Sequence, residues 1–430
     1  MTSQTVPSPA ASPAASSVPS PVAPSPAQAS LRLVAVVVTY NRLDKLQATL
    51  ARLLQSPAQE LAAVVVVDNA STDDTGTWLQ SWQAAQRDPR LDILSSATNR
   101  GGAGGFEMGM RRAMEHHQPD WLVLMDDDGR PAPDGLASFH RLDMHQGAQD
   151  PAQQGWDAVA AAVYFPTGGI CEMNRPSRNP FWHRREFLRT LFGGGRSGFH
   201  VQPSDYQGAG MQIDVTSFVG FFISAAAVRR QGYPDPDLFI YGDDGLYTLE
   251  LTKAGGRIGF EPAVRFEHDL STFVAKDGAE GAQRGRFIPL WKVYYYHLNL
   301  LMLYRLAAGW LFWPVLLVIV PKWLSKLRLH PGERRAFLRL ISRAPRGGCC
   351  TWVMLSIRVS LFIRASRRVA PPHFPICTKT VCGSCVCSCG GSSPCWAGSV
   401  CIIKKVLSAL YLASIRSVSG LGLILTWVYF

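Results

Sequence analysis

Acidic residues are missing from the end of this chain: none follows Glu333, while 13 lysines and arginines do. The formal charge of +11 belongs to that end, because residues 1–333 hold 30 basic against 32 acidic side chains. A near-neutral body excludes reading the net charge as a nucleic-acid footprint. Cysteine is scarce in the same body. Cys171 stands alone there, and the other nine all lie after residue 348. One thiol cannot build a disulfide framework, and it suits a reducing or an indifferent compartment. Residues 1–30 have neither a basic start nor a continuous apolar run, which argues against a secretory signal. Their Pro, Ala, Ser, Val and Gln bury too little surface to offset ordering, so a disordered leader is expected. The chain lacks the many long apolar runs of a polytopic transporter. Its 47% hydrophobic content excludes wholesale disorder.

What is present, from residue 31, is an alternation of strands and helices. Leu31 to Val38 is an apolar, β-branched run that stops at Thr39-Tyr40-Asn41-Arg42. Leucines at 43, 46, 50, 53 and 54 make a helical stripe. Leu61 to Val67 is a second buried strand ending at Asp68-Asn69, followed by a helix through about residue 87. A short strand at 91–94, a glycine-rich stretch, a helix over 106–116 and a strand from Trp121 to Met125 follow. Strands that are apolar throughout belong in a parallel α/β sheet covered on both faces. Ligands of such sheets bind at the carboxyl ends of the strands. Those ends carry the polar clusters Thr39–Arg42, Asp68 and Asp126–Asp128. Further strands are expected near 158–164 and 211–219, with a long loop over about 172–208 between them. A helix is expected from about 245 to 254, and aromatic and apolar helix over 286–328.

Asp126, Asp127 and Asp128 carry the strongest chemical signal. Adjacent carboxylates at a buried strand end repel one another and call for a cation. Alternate residues Asp126 and Asp128 face one point and suit Mn²⁺ or Mg²⁺. The bland alternative is a solvated acidic turn. Asp68 can accept hydrogen bonds from a base or a ribose, whereas Ser71 and Asp73 are equally well helix caps. Asn99-Arg100 and the glycines after them bring backbone N–H groups and a guanidinium towards phosphate, or form a flexible turn. Asp243 and Asp244 open a helix as a general base or as dipole caps. His268 is a structural histidine unless its ring reaches the aspartates, where it becomes a metal ligand.

Taken together, these pieces resemble family 2 glycosyltransferases of the GT-A fold. The matching segments are VAVVVTYNR, VVVVDNASTDDT, NRGGAGGFEMG, WLVLMDDDGRP, LFIYGDDGLYTLELTKAGG and EHD, in the family's order over about residues 31–305. The aromatic stretch Trp291–Tyr296 and Asn299 look most like bacterial galactofuranosyl- and rhamnosyltransferases. The resemblance implies an α/β GT-A sheet, mostly parallel and flanked by helices, with a helical membrane-associated region after it. It implies inverting transfer from a UDP- or dTDP-sugar to a lipid-linked or growing cell-surface glycan, with galactofuranose ahead of rhamnose. It also implies Asp126, Asp128 and His268 as ligands of Mn²⁺ or Mg²⁺, and Asp243 as base with Asp244 as its rival. Thr39, Arg42, Asp68, Asn99, Arg100 and Asp127 would bind the donor. Leu246 replaces an acidic residue common in relatives, and Phe218, Phe221 and Phe222 stand where relatives often have tryptophans near the acceptor. Those phenylalanines read equally well as core.

The expected organisation is a leader over 1–30, a catalytic domain over 31–285, a membrane-associated segment over 286–330 and a basic, cysteine-rich tail over 331–430. Leu306 to Leu324 is marginal for a span and carries cationic edges, so a helix lying in the membrane interface is expected. That points to the cytoplasmic face of the inner or plasma membrane, peripheral or single-span. From about residue 345 the acid-free tail reads as a non-native frame or a poorly ordered extension, and its cysteines receive no role. The competing classes are a nucleotidyltransferase, which would place a basic glycine-rich loop where TYNRLDK stands, and a non-catalytic glycan- or lipid-binding module. No nucleic-acid partner is expected.

Overall fold

The computed structural model describes residues 31–86, 88–142, 155–271 and 285–343. The leader and the cysteine-rich tail from 344 onward lie outside the described residues. The first strands and helices follow the sequence closely. They are β1 (Leu33–Thr39), α1 (Leu43–Gln55), β2 (Ala63–Asp68), α2 (Thr75–Gln86) and β3 (Leu91–Ser95). Next come α3 (Gly101–His116), β4 (Trp121–Asp126), β5 (Gly129–Pro131), α4 (Gly135–His140) and β6 (Ala158–Tyr164). Every residue of β1 and β2 is buried, as a sheet covered on both faces requires.

Three elements differ from expectation. The glycine run 101–105 is not a loop but the first turns of α3. Glycine is needed there because Gly105 and Gly109 lie directly on Val38 and on Val36 and Val67, leaving no room for a Cβ. The segment 172–208 holds a helix, α5 (Arg184–Arg189), and several short 3₁₀ turns rather than one loop. The strand expected over 211–219 is split into β7 (Met211–Ile213) and, further on, β8 (Phe221–Ser224).

The remaining elements are α6 (Ala225–Gln231), α7 (Asp243–Lys253), β9 (Ile258–His268), α8 (Lys292–Ala308), α9 (Phe312–Ser325) and α10 (Arg334–Ile341). One nine-stranded sheet runs β3-β2-β1-β4-β8-β6-β9-β5, with β7 also on β9. Its first four strands are all parallel. Beyond β4 it becomes mixed, because β8 runs antiparallel to both β4 and β6. The result is an α/β sheet flanked by helices. β1, β2, β4 and β9 all end on the same rim, since β6 and β9 are parallel to each other and β8 reverses twice between them and β4.

Phe218, Phe221 and Phe222 are core. Phe222 stacks on Phe139 at 4.1 Å, and Phe218 meets Phe106 edge-on at 4.9 Å. They offer no face to a sugar. The helical run Lys292–Leu329 is long and apolar enough to cross a membrane by length and composition, but 44% of its most apolar window is buried within the protein. It is interrupted at Gly309, whose φ of 54° turns the chain between α8 and α9.

Candidate active site

The acidic cluster sits where β4 ends, beside β1. Asp127 and Asp128 are almost fully buried. Thr39, the last residue of β1, donates its hydroxyl to Asp127 Oδ2 at 2.8 Å. Arg42 bridges the two carboxylates, bonding Asp127 Oδ1 at 3.2 Å and Asp128 Oδ2 through the same nitrogen. His268 ends β9 and reaches Asp128 Oδ1 with Nε2 at 3.1 Å. The ring is held from behind: Nδ1 donates to Asn174 Oδ1 at 2.7 Å, and Asn174 Nδ2 donates to Ser217 Oγ at 2.8 Å. Buried Cys171 also bonds Asn174 Oδ1 at 3.0 Å. His268 thus reaches one of the three aspartates, Asp128.

The charges explain the arrangement. Burial, reinforced by Asp128 and Asp127, raises the Asp126 carboxyl to about 7. Burial also raises Asp127 to about 6, against the pull of Arg42. Burial works the same way on Asp128, but its bonds to His268 and Arg42 overcome it and hold that carboxyl below its usual range. For His268, burial is outweighed by Asp128 and Cys171, and the imidazole rises to about 10. As placed, Asp128 is neutralised by an imidazolium and a guanidinium and Asp127 shares that guanidinium, while burial and its two neighbours work against charge on Asp126.

The donor set of two carboxylates and an imidazole suits a hard or borderline divalent cation. Binding would require the ring to shed its Nε2 proton. Among the described residues, no three His, Cys, Asp or Glu side chains converge closely enough to hold an ion as placed. Arg42 and His268 supply the positive charge beside Asp128.

A second cluster lies at the end of β2. Asp68 accepts the backbone N–H of Ser71 at 2.9 Å, shaping the turn into α2. Asn69, which sequence reasoning passed over, is the organiser here. Its amide donates to Asn99 Oδ1 and to the Gly101 carbonyl, and it accepts the backbone N–H of Arg100. Asn99 in turn accepts the Gly101 N–H at 2.8 Å. The Arg100 guanidinium points along α3 to Glu107 at 3.4 Å, so only its backbone belongs to this cluster. The hint for Asn69 was its place directly after a strand-end aspartate.

Asp243 and Asp244 form the first turn of α7, across from the N-terminus of α3. Gly102 of α3 lies close to the Asp243 carboxyl. Both aspartates are half-buried, touching solvent while walled in by protein. Burial, then Asp244, pushes Asp243 well above the carboxylate range, and the charge of Asp126 adds to it. Burial raises Asp244 to about 6, against a bond from the Gly245 backbone N–H at 2.6 Å. Asp243 thus faces the acidic cluster electrostatically, whereas Asp244 is tied to its own helix. The turn before α7 is held by Asn299 of α8, whose amide donates to the carbonyls of Leu238, Ile240 and Tyr241 at 2.8–3.0 Å.

Residues 34–195 match the model of glycosyl transferase family 2. The match contains the strand-end clusters and stops short of Asp243 and His268. A galactofuranosyltransferase of Mycolicibacterium smegmatis is 29% identical over 239 residues, 55% of this chain and 71% of that protein. An undecaprenyl-phosphate mannosyltransferase of Micrococcus luteus is 36% identical over 106 residues, 25% of this chain and 42% of that protein. Among solved structures, a mannosyltransferase of Pyrobaculum calidifontis in complex with GDP-Man and Mn²⁺ aligns at 18% identity, with a TM-score of 0.42, over 81% of this chain and 85% of that one. The family match and the sequence relatives favour a glycosyltransferase over the nucleotidyltransferase and binding-module alternatives. Over residues 34–195 the chain is thus similar to the family 2 glycosyl transferases, and the protein is a glycosyltransferase.

Proposed function

We propose that this enzyme performs inverting, divalent-dependent transfer of a sugar, galactofuranose first among candidates, from a nucleotide diphosphate donor to a glycan on a lipid carrier. The observation that supports the reading is the buried contact of His268 with Asp128 at the end of β4, between residues 140 positions apart in sequence, together with an Asp243 carboxyl beside the N-terminus of α3. Inversion requires one base behind the acceptor oxygen and positive charge on the leaving diphosphate. Asp243 is the base, because its carboxyl faces the acidic cluster and is basic enough to take a proton. Asp126, Asp128 and His268 would hold Mn²⁺ or Mg²⁺, which supplies charge neutralisation at the diphosphate. Thr39 and Arg42 fix Asp127 beside that position. Asn69, Asn99 and the backbone at Arg100–Gly101 shape the donor side with Asp68. The likeness to a galactofuranosyltransferase supports the sugar, and the exposed aromatic face of α9 supports an acceptor presented at a membrane surface.

A panel of nucleotide sugars, assayed for transfer and for slow hydrolysis with Mn²⁺ and with EDTA, tests the reading. UDP-galactofuranose should be turned over only with the metal. Asp128→Ala should lose metal-dependent donor binding by about 10²-fold or more, as loss of a ligand does. Turnover that is indifferent to EDTA sinks the metal assignment, and turnover of dTDP-rhamnose alone replaces the sugar.

A further inference from the structure

Three cations gather beside the catalytic rim without a carboxylate. Arg196 lies in the short turn after α5, and Lys322 and Lys326 lie at the end of α9. Lys326 Nζ sits 4.3 Å from the centre of the Tyr296 ring and 4.7 Å from that of Phe287. Arg196 is close enough for its charge to act on both Tyr296 and Lys322. Among the described residues no aspartate or glutamate pairs with any of the three, and Arg196 instead donates to His200 Nε2 at 3.4 Å. Burial, and then the neighbouring cation, lowers both lysines, Lys326 to about 8. Like charges held together and partly desolvated call for an anion. The chain beyond residue 343 contains no acid to supply one.

The position decides which anion. Tyr296 packs on Tyr241 with ring centres 5.9 Å apart, and Tyr241 is two residues from Asp243. Tyr296 and Tyr241 thus link Lys326 to the turn that carries the proposed base. Trp310, in the turn before α9, and Trp313 and Leu317, one helical turn apart on α9, are 81%, 55% and 39% exposed. Phe192, 80% exposed, stands in the turn that leads to Arg196.

We infer that Arg196, Lys322 and Lys326 form a binding site for the phosphate or diphosphate of an amphiphilic acceptor, whose apolar chain runs over Trp310, Trp313 and Leu317 while its sugar reaches Asp243. This rests on the glycosyl-transfer reading above and names the acceptor's chemical class. Recognition is by charge-assisted hydrogen bonds to phosphate oxygens at one end and by apolar contact at the other.

The test is direct binding of farnesyl diphosphate to the full-length protein by calorimetry, in EDTA so that no metal draws the diphosphate to the aspartates. Wild type should bind, and the double variant Lys322→Gln/Lys326→Gln should bind at least tenfold more weakly. Lys322→Arg/Lys326→Arg, which keeps the charge, should restore binding and so guards against a folding defect. Inorganic pyrophosphate should bind more weakly than the farnesyl compound. Equal affinity for both would make the site one for a soluble phosphate and would overturn the lipid part. No binding by wild type, or undiminished binding by the glutamine variant, overturns the proposal. So does retention on phosphatidylglycerol vesicles without any affinity for farnesyl diphosphate, because the cations would then serve the bilayer. Donor hydrolysis by wild type is measured separately: its absence would remove the glycosyl-transfer reading, whereas its presence without farnesyl diphosphate binding removes this inference alone.

Discussion

Asp243 carries the proposed proton transfer, and its setting fixes how the rate responds to pH. Burial and Asp244 hold its carboxyl well above the usual range. A base works only when deprotonated, so a raised pKa brings the proton back early as the pH falls. Transfer should decline on an acid limb that begins well above the ordinary carboxylate range. Asp243→Asn should lose about 10²–10⁴-fold in kcat, the usual scale of general-base catalysis, with donor binding retained. A kcat–pH profile at saturating donor checks both points. An unshifted acid limb, or an active asparagine variant, transfers the role to Asp244. At this scale the sequence showed the residues better than their partners. Strand-end carboxylates are visible because an apolar run that stops at an acid marks the sheet's rim. That Arg42 would clamp Asp127 and Asp128 depends on how α1 leaves β1, and that Asn174 would back His268 depends on a 94-residue separation. Neither leaves a local pattern to read.

The turn before α7 shows what an element must supply to place such a base. Phe239 and Tyr241 both have positive φ, 59° and 72°, which is costly for aromatic residues. Asn299, wholly buried in α8, compensates by donating to three carbonyls of that turn. Gly101, at the start of α3, lies so close to the Phe239 carbonyl that no Cβ fits. Asn299→Ala should therefore release the strained turn and shift Asp243. The expected result is a fall in kcat of tenfold or more with the donor KM nearly unchanged, and a stability loss of about 1–3 kcal/mol from the stranded carbonyls. Steady-state kinetics and urea denaturation read the two effects. Equal losses in kcat and donor affinity would point instead to a general loosening of the fold. The glycine run 101–105 was misjudged for a related reason. Propensity says glycine breaks a helix, but here close packing on Phe239 and Val38 decides, and tertiary contact outweighs propensity.

The whole molecule joins a rim of carboxylates to a helical region with one open aromatic face. The apolar run around Leu306–Leu324 was plain in the sequence; the break at Gly309, which leaves α9 with one side on the protein and one side bare, was not. Trp310, in the turn just before α9, and Trp313 on it are the most exposed large apolar residues of this region. A tryptophan buries roughly 150–250 Å² when covered. At ~25 cal/mol per Å², even partial burial in a bilayer interface contributes on the order of 1–3 kcal/mol per ring. Trp310→Ser/Trp313→Ser should then reduce partition onto liposomes by about tenfold or more and lower the melting temperature only slightly, since both rings are more than half exposed and Trp313 meets the core edge-on at Phe312. Cosedimentation with phosphatidylcholine vesicles containing phosphatidylglycerol measures this. Salt separates the two contributions. At 1 M ionic strength the Debye length shrinks to about 3 Å, so attraction of Lys322, Lys326 and Arg196 to anionic lipid fades while apolar insertion remains. Wild-type partition should therefore fall with salt to a plateau, and the serine variant should fall to nothing. If the wild type also falls to nothing, the aromatic face does not enter the bilayer, and the contact with the membrane is purely electrostatic.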